Sequence, residues 1–394
     1  MALILGIEST CDETGAAVVD SGRRVLSNVV ASQIELHARY RGVVPEIASR
    51  AHIENIIPVV REAIESAGTS LDAIDAVAVT HRPGLIGSLL IGVTAAKTLA
   101  WALGKPLIGV DHVHAHLYSV NLNELSVACR ELPVVGCRLP ADDRTPNSAL
   151  RTVAGDPQPT TGDLVRSADP AHWQLTTNNW QLLFPALGAV LSGGHTALYE
   201  ITDFSTIRLI GTTIDDAVGE AYDKVSAILG LGYPGGPIID KLAPSGNPAA
   251  VRFPRTLLGR ESLDFSFSGL KTSVLYHVRG HKGRQRLASA LSESEIADVA
   301  AAFQAACIDV LVTKFKRAAR SIHAKSIIVG GGVSANRGLR AALSRFHLPV
   351  FFPPMEYCTD NAAMSAALAH LSYETGQFSP LSLDAITSSQ FADA

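Results

Sequence analysis

Three histidines alternate in the run Asp111-His112-Val113-His114-Ala115-His116. On a helix, His112 and His116 sit one turn apart on the same face, within reach of one metal ion, while His114 points elsewhere. The pair lacks the glutamate of an HExxH helix, so the base of a metalloprotease is missing. A third ligand has to come from a remote segment. Asp360, which opens the last helical stretch after Cys358-Thr359, is one candidate; from spacing alone it also reads as a helix cap.

Carboxylates cluster in two further places. Asp12 and Glu13 lie in a polar tip between two apolar runs. Asp215, Asp216, Glu220 and Asp223 line a predicted helix, with Asp216, Glu220 and Asp223 on one face. Such groups bind metals, accept hydrogen bonds from a ribose or act as bases, and the same composition also makes a solvated helix end. Three glycine turns complete the inventory: Ser192-Gly193-Gly194, Gly235-Gly236 after Tyr233-Pro234, and Gly330-Gly331-Gly332. Glycine lets a ligand approach backbone N–H groups, so each turn suits a phosphate as well as a plain chain reversal. The last lies between a buried strand and a helix, whose N-terminus favours an anion. Spread over both halves of the chain, the three favour a nucleotide in a cleft. None fits GxxxxGK[ST], which excludes a P-loop, and no Ser–His–Asp or Cys–His arrangement is evident.

The elements that must position these groups alternate between strand and helix. Leu3–Glu8, Gly15–Val19 and Val25–Ala31 read as strands around the Asp12–Glu13 tip. Residues 46–67 have helical spacing between Pro45 and Gly68; Ala76–Val79, 86–103 and Leu107–Val110 continue as strand, helix, strand. The opening recurs at Gly188–Leu191 and Thr196–Ile201, again with a tight turn between them. Lys325–Val329 is a buried strand before a helix starting near Ser334, and the last helix spans 360–373. This predicts an α/β fold with two lobes built on one duplicated plan. The first lobe takes residues 1–120 plus roughly 352–394, and the second takes 186–351. Between 121 and 185 the pattern fails: Pro140, Pro146, Pro157, Pro159 and Pro170 punctuate a polar stretch that buries little surface. It reads as an insertion or long loop, pinned at one end by Trp173 and Trp180.

The 394 residues are enough for two lobes, and 47% hydrophobic against 18% charged residues fits a well-buried globular chain. A net charge of −4 gives no global field for nucleic acid. The local exception is 251–290, where Arg252, Arg255, Arg260, Lys271, Arg279, Lys282, Arg284 and Arg286 face only Glu261 and Asp264; this is either a solvated face or an RNA contact. The odd set Cys11, Cys129, Cys137, Cys307 and Cys358 has no CxxC spacing, against a disulfide framework or cysteine zinc site. The N-terminus reads as a buried strand rather than a signal peptide. The apolar stretch 85–104 suits a core helix better than a membrane span because of Lys97 and its glycines. The expected location is cytoplasmic.

At these residues the sequence resembles a known family. The stretches GIESTCDETGAAVV, GVVPEIASRAHI, PGLIGSLLIGVTAAKTLAWAL, HVHAHL, VLSGGHT, DDAVGEAYDKVSAILGLGYPGGPIID, FSFSGLKT, GGGVSAN and CTDNAAM are similar, in the same order, to the tRNA N6-adenosine threonylcarbamoyltransferases, formerly called O-sialoglycoprotein endopeptidases. They cover nearly everything outside 121–185. The resemblance implies an actin-like (ribonuclease H-like) ATPase fold shared with heat-shock chaperones, with a nucleotide cleft between the lobes. It implies His112, His116 and Asp360 as ligands of one divalent metal, usually Fe2+, with Zn2+ the alternative. Val190, Leu191, Ser192, Gly193 and Gly194 match the segment contacting the phosphate and acyl part of the substrate. Asp223, Gly236 and Asp240 match ribose-binding positions, Asn336 sits by the adenine, and Asp12 and Glu13 match an acidic pair tied to activity. The implied donor is threonylcarbamoyl-AMP, the acceptor is the adenosine 3′ of the anticodon in tRNAs reading codons that begin with A, and the released product is AMP. The implied partners are an inactive paralogue, in a heterodimer, and a small P-loop ATPase.

Two features depart from the family pattern. Arg82-Pro83-Gly84 stands where Gly-Pro-Gly is usual, so either that loop is reshaped or Arg82 helps bind phosphate. The second is the 121–185 insertion, directly after the metal helix. Rival readings are an actin-like ATPase or kinase, a metalloendopeptidase, and a non-catalytic paralogue, which lacks the histidine pair.

Overall fold

The computed structural model describes residues 2–40, 42–123, 126–128, 182–280 and 291–389. Most of the expected insertion, with Trp173 and Trp180, lies outside them, as do Cys129, Cys137, Lys282, Arg284 and Arg286. The first half runs β1 (Leu3–Glu8), β2 (Glu13–Asp20), β3 (Arg24–Ser32), α1 (Ile34–Ala38), α2 (Pro45–Ser66), β4 (Ala76–Arg82), α3 (Ile86–Leu103), β5 (Leu107–Asp111), α4 (His112–Tyr118) and β6 (Ser126–Ala128). The second half runs β7 (Ala186–Leu191), β8 (Thr196–Asp203), β9 (Thr206–Thr212), α5 (Val218–Leu229), α6 (Gly235–Leu242), α7 (Ser268–Arg279), α8 (Glu293–Ser321), β10 (Ser326–Gly330), α9 (Arg337–Leu343), β11 (Val350–Phe352) and α10 (Ala362–Glu374).

The strands form two mixed sheets with one plan. The first has the order β3-β2-β1-β4-β5, and the second β6-β11-β10-β7-β8-β9. In each, a leading antiparallel meander (β1-β2-β3, β7-β8-β9) is followed by two parallel strands (β4-β5, β10-β11). The central strands β1, β4, β7 and β10 are almost continuously apolar, as strands covered on both faces must be.

Helices cover both faces of each sheet. On the first, α2 and α3 pack against Leu5, Ile7, Val77 and Val79, and the alanine-rich α10 packs on the opposite face. α3 is the predicted 85–104 helix, and it buries Leu89, Val93, Ala96 and Ala100. By length and composition α3 and α8 are apolar enough to cross a membrane, yet α8 lies largely within the second lobe's core.

α4 joins the two halves. Ala115 and Tyr118 belong to the core under the first sheet, while Val113 and Leu117 pack with Val190, Ile201, Ile328 and Phe351 of the second. Two glycines allow the close packing around it. A Cβ on Gly330 would collide with the His116 carbonyl oxygen, and one on Gly6 would collide with that of Ala362 at the start of α10. α4 is thereby held between the sheets, with α10 packed beside it on the first.

Candidate metal centre and the cleft beside it

Asp111 starts α4 by capping it, its carboxylate accepting from Val113 N (2.9 Å) and His114 N (3.1 Å). One turn separates His112 from His116, and both are buried. Asp360 arrives from the loop before α10. Asn361, not Asp360, caps that helix, accepting from Met364 N at 3.1 Å. The ambiguity left by spacing is therefore resolved: the Asp360 carboxylate is released toward the histidines. Its Oδ1 lies 3.0 Å from His116 Nε2 and 3.5 Å from His112 Nε2.

These three ligand atoms lie within 4.8 Å of one another. A tetrahedral ion with bonds of about 2.0–2.2 Å holds its ligands roughly 3.3 Å apart, so the spacing fits one ion with little movement. Two imidazoles and one carboxylate suit Fe2+ or Zn2+. Burial disfavours the His112 imidazolium, yet the carboxylates of Asp360 and Glu8 outweigh it and push the pKa up to about 9. A cation is therefore favoured at this point. Burial raises the Asp360 carboxyl, but His112 and His116 hold it far below the usual range. His114 faces away, as the spacing predicts, and burial lowers its pKa to about 4.

The centre lies at one side of a cleft of about 630 Å³. Asp12, Glu13, His112, Ser192, Gly193, Gly194, Asp223, Gly236, Asp240, Asn336 and Asp360 all line it. Val190 and Leu191 do not: both are fully buried inside β7, beneath the turn. In that turn, Ser192 N donates to His195 O (2.7 Å) and His195 N to Ser192 Oγ (3.0 Å). A Cβ at Gly193 or Gly194 would meet nothing within 4 Å, so the cleft side is open to a ligand. The Gly330 turn behaves differently. Gly330 makes room for α4, Gly331 (φ +85°) crosses the Leu191 backbone, and of the three glycines Gly332 alone lines the cleft.

Also in the cleft lining, Asp223 accepts from Gly235 N at 2.7 Å, and burial raises its pKa. Asp240 accepts from Arg337 N (3.2 Å) and Gln304 Nε2 (3.3 Å). Gln304 Oε1 in turn accepts from Asn336 Nδ2 at 2.9 Å, and Asn336 caps α9. One glutamine on α8 thus sets the positions of two cleft residues. Burial raises the Glu13 carboxyl to about 10, with Asp360 and Asp12 adding to the effect.

One expectation is corrected. Asp215 and Asp216 precede α5 rather than riding on it. Asp215 accepts from Ser266 Oγ, Phe267 N and both the N and Oγ of Ser268, while Asp216 pairs with Lys224 and Lys271. They anchor α7 rather than a ligand. Arg82 does not line the cleft; its Nε lies 3.8 Å from Asp111 Oδ2, beside the cap of α4. Gly84 abuts the Thr10 backbone.

Sequence reasoning missed Glu8, Thr10, His195 and Gln304. The His195 ring lies 6.1 Å from that of His112, and burial, then His112 and His116, lower its pKa to about 4. The tight turn after β7 was a signal for His195. Nothing local marked the other three, whose roles depend on contacts 32 to 357 positions away.

A family model described as tRNA N6-adenosine threonylcarbamoyltransferase matches residues 24–137 and 171–367. Proteins of that name are similar over nearly their whole length. The one from Moorella thermoacetica is 48% identical, covering 97% of this chain and 95% of its own. Those from Symbiobacterium thermophilum and Geobacillus kaustophilus are 45% and 44% identical, covering 98% and 97% of this chain and 95% of each relative. Among solved structures, full-length HypF in its phosphate- and nucleotide-bound form shares the fold, with a TM-score of 0.50 and 13% identity over 96% of this chain and 47% of that one.

Proposed function

The chain belongs to the tRNA N6-adenosine threonylcarbamoyltransferase family, and on that premise we propose how its cleft carries out the transfer. It is a transferase that makes threonylcarbamoyladenosine in tRNA. The donor is threonylcarbamoyl-AMP. Its ribose lies against Asp223, Gly236 and Asp240, its adenine beside Asn336, and its phosphate on the Ser192-Gly193-Gly194 turn. The acyl group reaches toward His112, His116 and Asp360. The observation that carries this reading is that an open glycine turn lines the same cleft as His112 and Asp360, with His116 buried directly behind them in one two-histidine, one-carboxylate cluster.

A mixed carbamic–phosphoric anhydride is already activated, so orientation and charge stabilisation matter more than a protein nucleophile. The bond formed joins the carbamoyl carbon to N6 of the adenosine 3′ of the anticodon in tRNAs reading A-starting codons. The bond broken is that carbon's link to the phosphate oxygen, and AMP leaves. His112, His116 and Asp360 hold one divalent ion, Fe2+ with Zn2+ as the alternative, which supplies Lewis-acid polarisation or anchoring of the acyl group. Asp12 takes the proton that N6 releases. Glu13, whose carboxyl is pushed up by burial, stands beside it. The N–H groups of Gly193 and Gly194 receive the charge developing on the departing phosphate. The protein works in the cytoplasm with an inactive paralogue subunit and a small P-loop ATPase, a proposal that rests on family membership.

The test supplies threonylcarbamoyl-AMP and unmodified tRNA, with and without those partners, and reads digested nucleosides by mass spectrometry. Threonylcarbamoyladenosine should form and should be lost in His116→Ala. Steady ATP turnover without product would instead favour an actin-like ATPase or kinase.

A further inference from the structure

Glu8 ends β1 and is completely buried, yet it neither lines the cleft nor coordinates anything directly. A carboxylate in such a place needs compensation, because an unpaired buried charge is costly. Three donors surround it. Thr10 N reaches Oε1 at 2.9 Å, Thr80 Oγ1 reaches Oε2 at 2.5 Å, and Ser365 Oγ approaches Oε2 at 3.3 Å. They come from the tip after β1, from β4 and from α10, so the carboxylate is fixed from three elements. Its remaining neighbour is His112 Nδ1, 3.5 Å from Oε2, with Thr10 Oγ1 3.3 Å from the same nitrogen. The opposite ring nitrogen, Nε2, faces Asp360.

We propose that Glu8 is the positioning residue of the metal centre: its carboxylate holds the proton on His112 Nδ1 and so presents the Nε2 lone pair to the ion. The inference rests on the reading of His112, His116 and Asp360 as metal ligands. Two physical consequences follow. The ring is fixed in one tautomer and orientation, and its donor strength rises because an anion accepts from the far N–H. Charge is also balanced. A divalent ion held by two neutral imidazoles and Asp360 keeps one excess positive charge in a buried site, and Glu8 neutralises it from the second side of His112. Among the described residues no equivalent carboxylate serves His116, whose Nδ1 is buried without a hydrogen-bond partner there, so Glu8 serves one ligand specifically.

The test titrates chelator-treated full-length protein with Zn2+, and with Co2+ as an optical probe. Wild type, Glu8→Gln and His116→Ala are compared, each with its apo-protein melting curve. Glu8→Gln keeps the shape but removes the charge; its Zn2+ affinity should fall roughly 10- to 100-fold and its Co2+ absorption bands should shift, with the apo-protein still folded. A purely structural Glu8 predicts lower stability with unchanged metal affinity and spectrum, and that result overturns the proposal. Should Glu8→Gln not fold, nitrogen NMR of histidine-labelled wild type decides: zinc-loaded His112 must carry its proton on Nδ1, and a proton on Nε2 overturns the assignment. Wild type that binds no better than His116→Ala overturns the metal reading itself, and this proposal with it.

Discussion

Asp223 and Asp240 share a side chain but not a surrounding. Asp240 is held by Gln304 and by the backbone of Arg337, inside a network that also fixes Asn336. Among the described residues Asp223 is held only by backbone N–H groups at the start of α6, those of Gly235 and Gly236, and its carboxylate borders the cleft. Asp223→Ala should therefore raise KM for the adenylate about tenfold, equivalent to about 1.4 kcal/mol, with kcat and the melting temperature nearly unchanged. Asp240→Asn should raise KM and lower stability together, because it disturbs Gln304 as well. Steady-state kinetics beside calorimetry separate the two; equal stability losses would show that Asp223 is structural. Asp215 offers a pH test remote from the chemistry. Burial would raise its carboxyl, but the hydrogen bonds from Ser266, Ser268 and Phe267 win and hold it at about 2. A depressed folded-state pKa contributes stability above the ordinary carboxylate value of about 3.9 and loses it as pH falls toward 2. Because Asp215 is exposed, solvent screening limits the effect to about 1 kcal/mol. Asp215→Asn should thus be less stable than wild type in urea at pH 7, and the gap should close by pH 2. A gap that stays constant with pH would mean that the charge contributes nothing.

Among the elements, α4 has only seven residues, too few for a helix to hold itself in water. It persists because Asp111 caps it and because two cores use its two sides. Its position depends on Gly330. Gly330→Ala leaves a sheet strand that tolerates alanine, but the new methyl meets the His116 carbonyl, so α4 must shift. The expected outcome is a folded protein whose metal affinity falls at least tenfold, read by equilibrium dialysis beside circular dichroism; unchanged affinity would show that α4 yields without moving its histidines. This also marks where the sequence was legible. The i, i+4 histidines, the duplicated strand openings and the helix at 86–103 carry local periodicity and could be read directly. By sequence the Gly330 turn suits a phosphate or a plain chain reversal, and only the structure shows that two of its glycines serve packing between chain segments far apart. The predicted helix near Ser334 begins at Arg337, since the turn Gly332–Ala335 intervenes and Asn336 makes the cap. Asp215 and Asp216 were placed on a helix because spacing cannot register the Ser266–Ser268 segment that draws Asp215 away from it. Glu8 and Gln304 were invisible for the same reason: their partners come from other elements.

At the scale of the whole molecule, two sheets of one plan are joined through α4, and the cleft takes residues from both halves. A small adenylate fits within it; a tRNA cannot, so most of the RNA must lie on the outer surface. The chain carries a net charge of −4, which leaves local patches to supply the attraction. Within 251–280, Arg255 pairs with Asp309 and Lys271 with Asp216, so both are committed to the fold. Arg252, Arg260 and Arg279 are exposed. Phosphate contacts release condensed counterions, which makes affinity fall with salt in proportion to the number of contacts. Reversing all three arginines to glutamate should weaken tRNA binding. It should also flatten the plot of log affinity against log salt by about 2 units, at roughly 0.7–0.9 per lost contact. The adenylate KM and the melting temperature should stay as in wild type, because none of the three lines the cleft. Filter binding from 50 to 200 mM salt would measure this directly. An unchanged slope would place the RNA on another face and leave these arginines as a solvated surface.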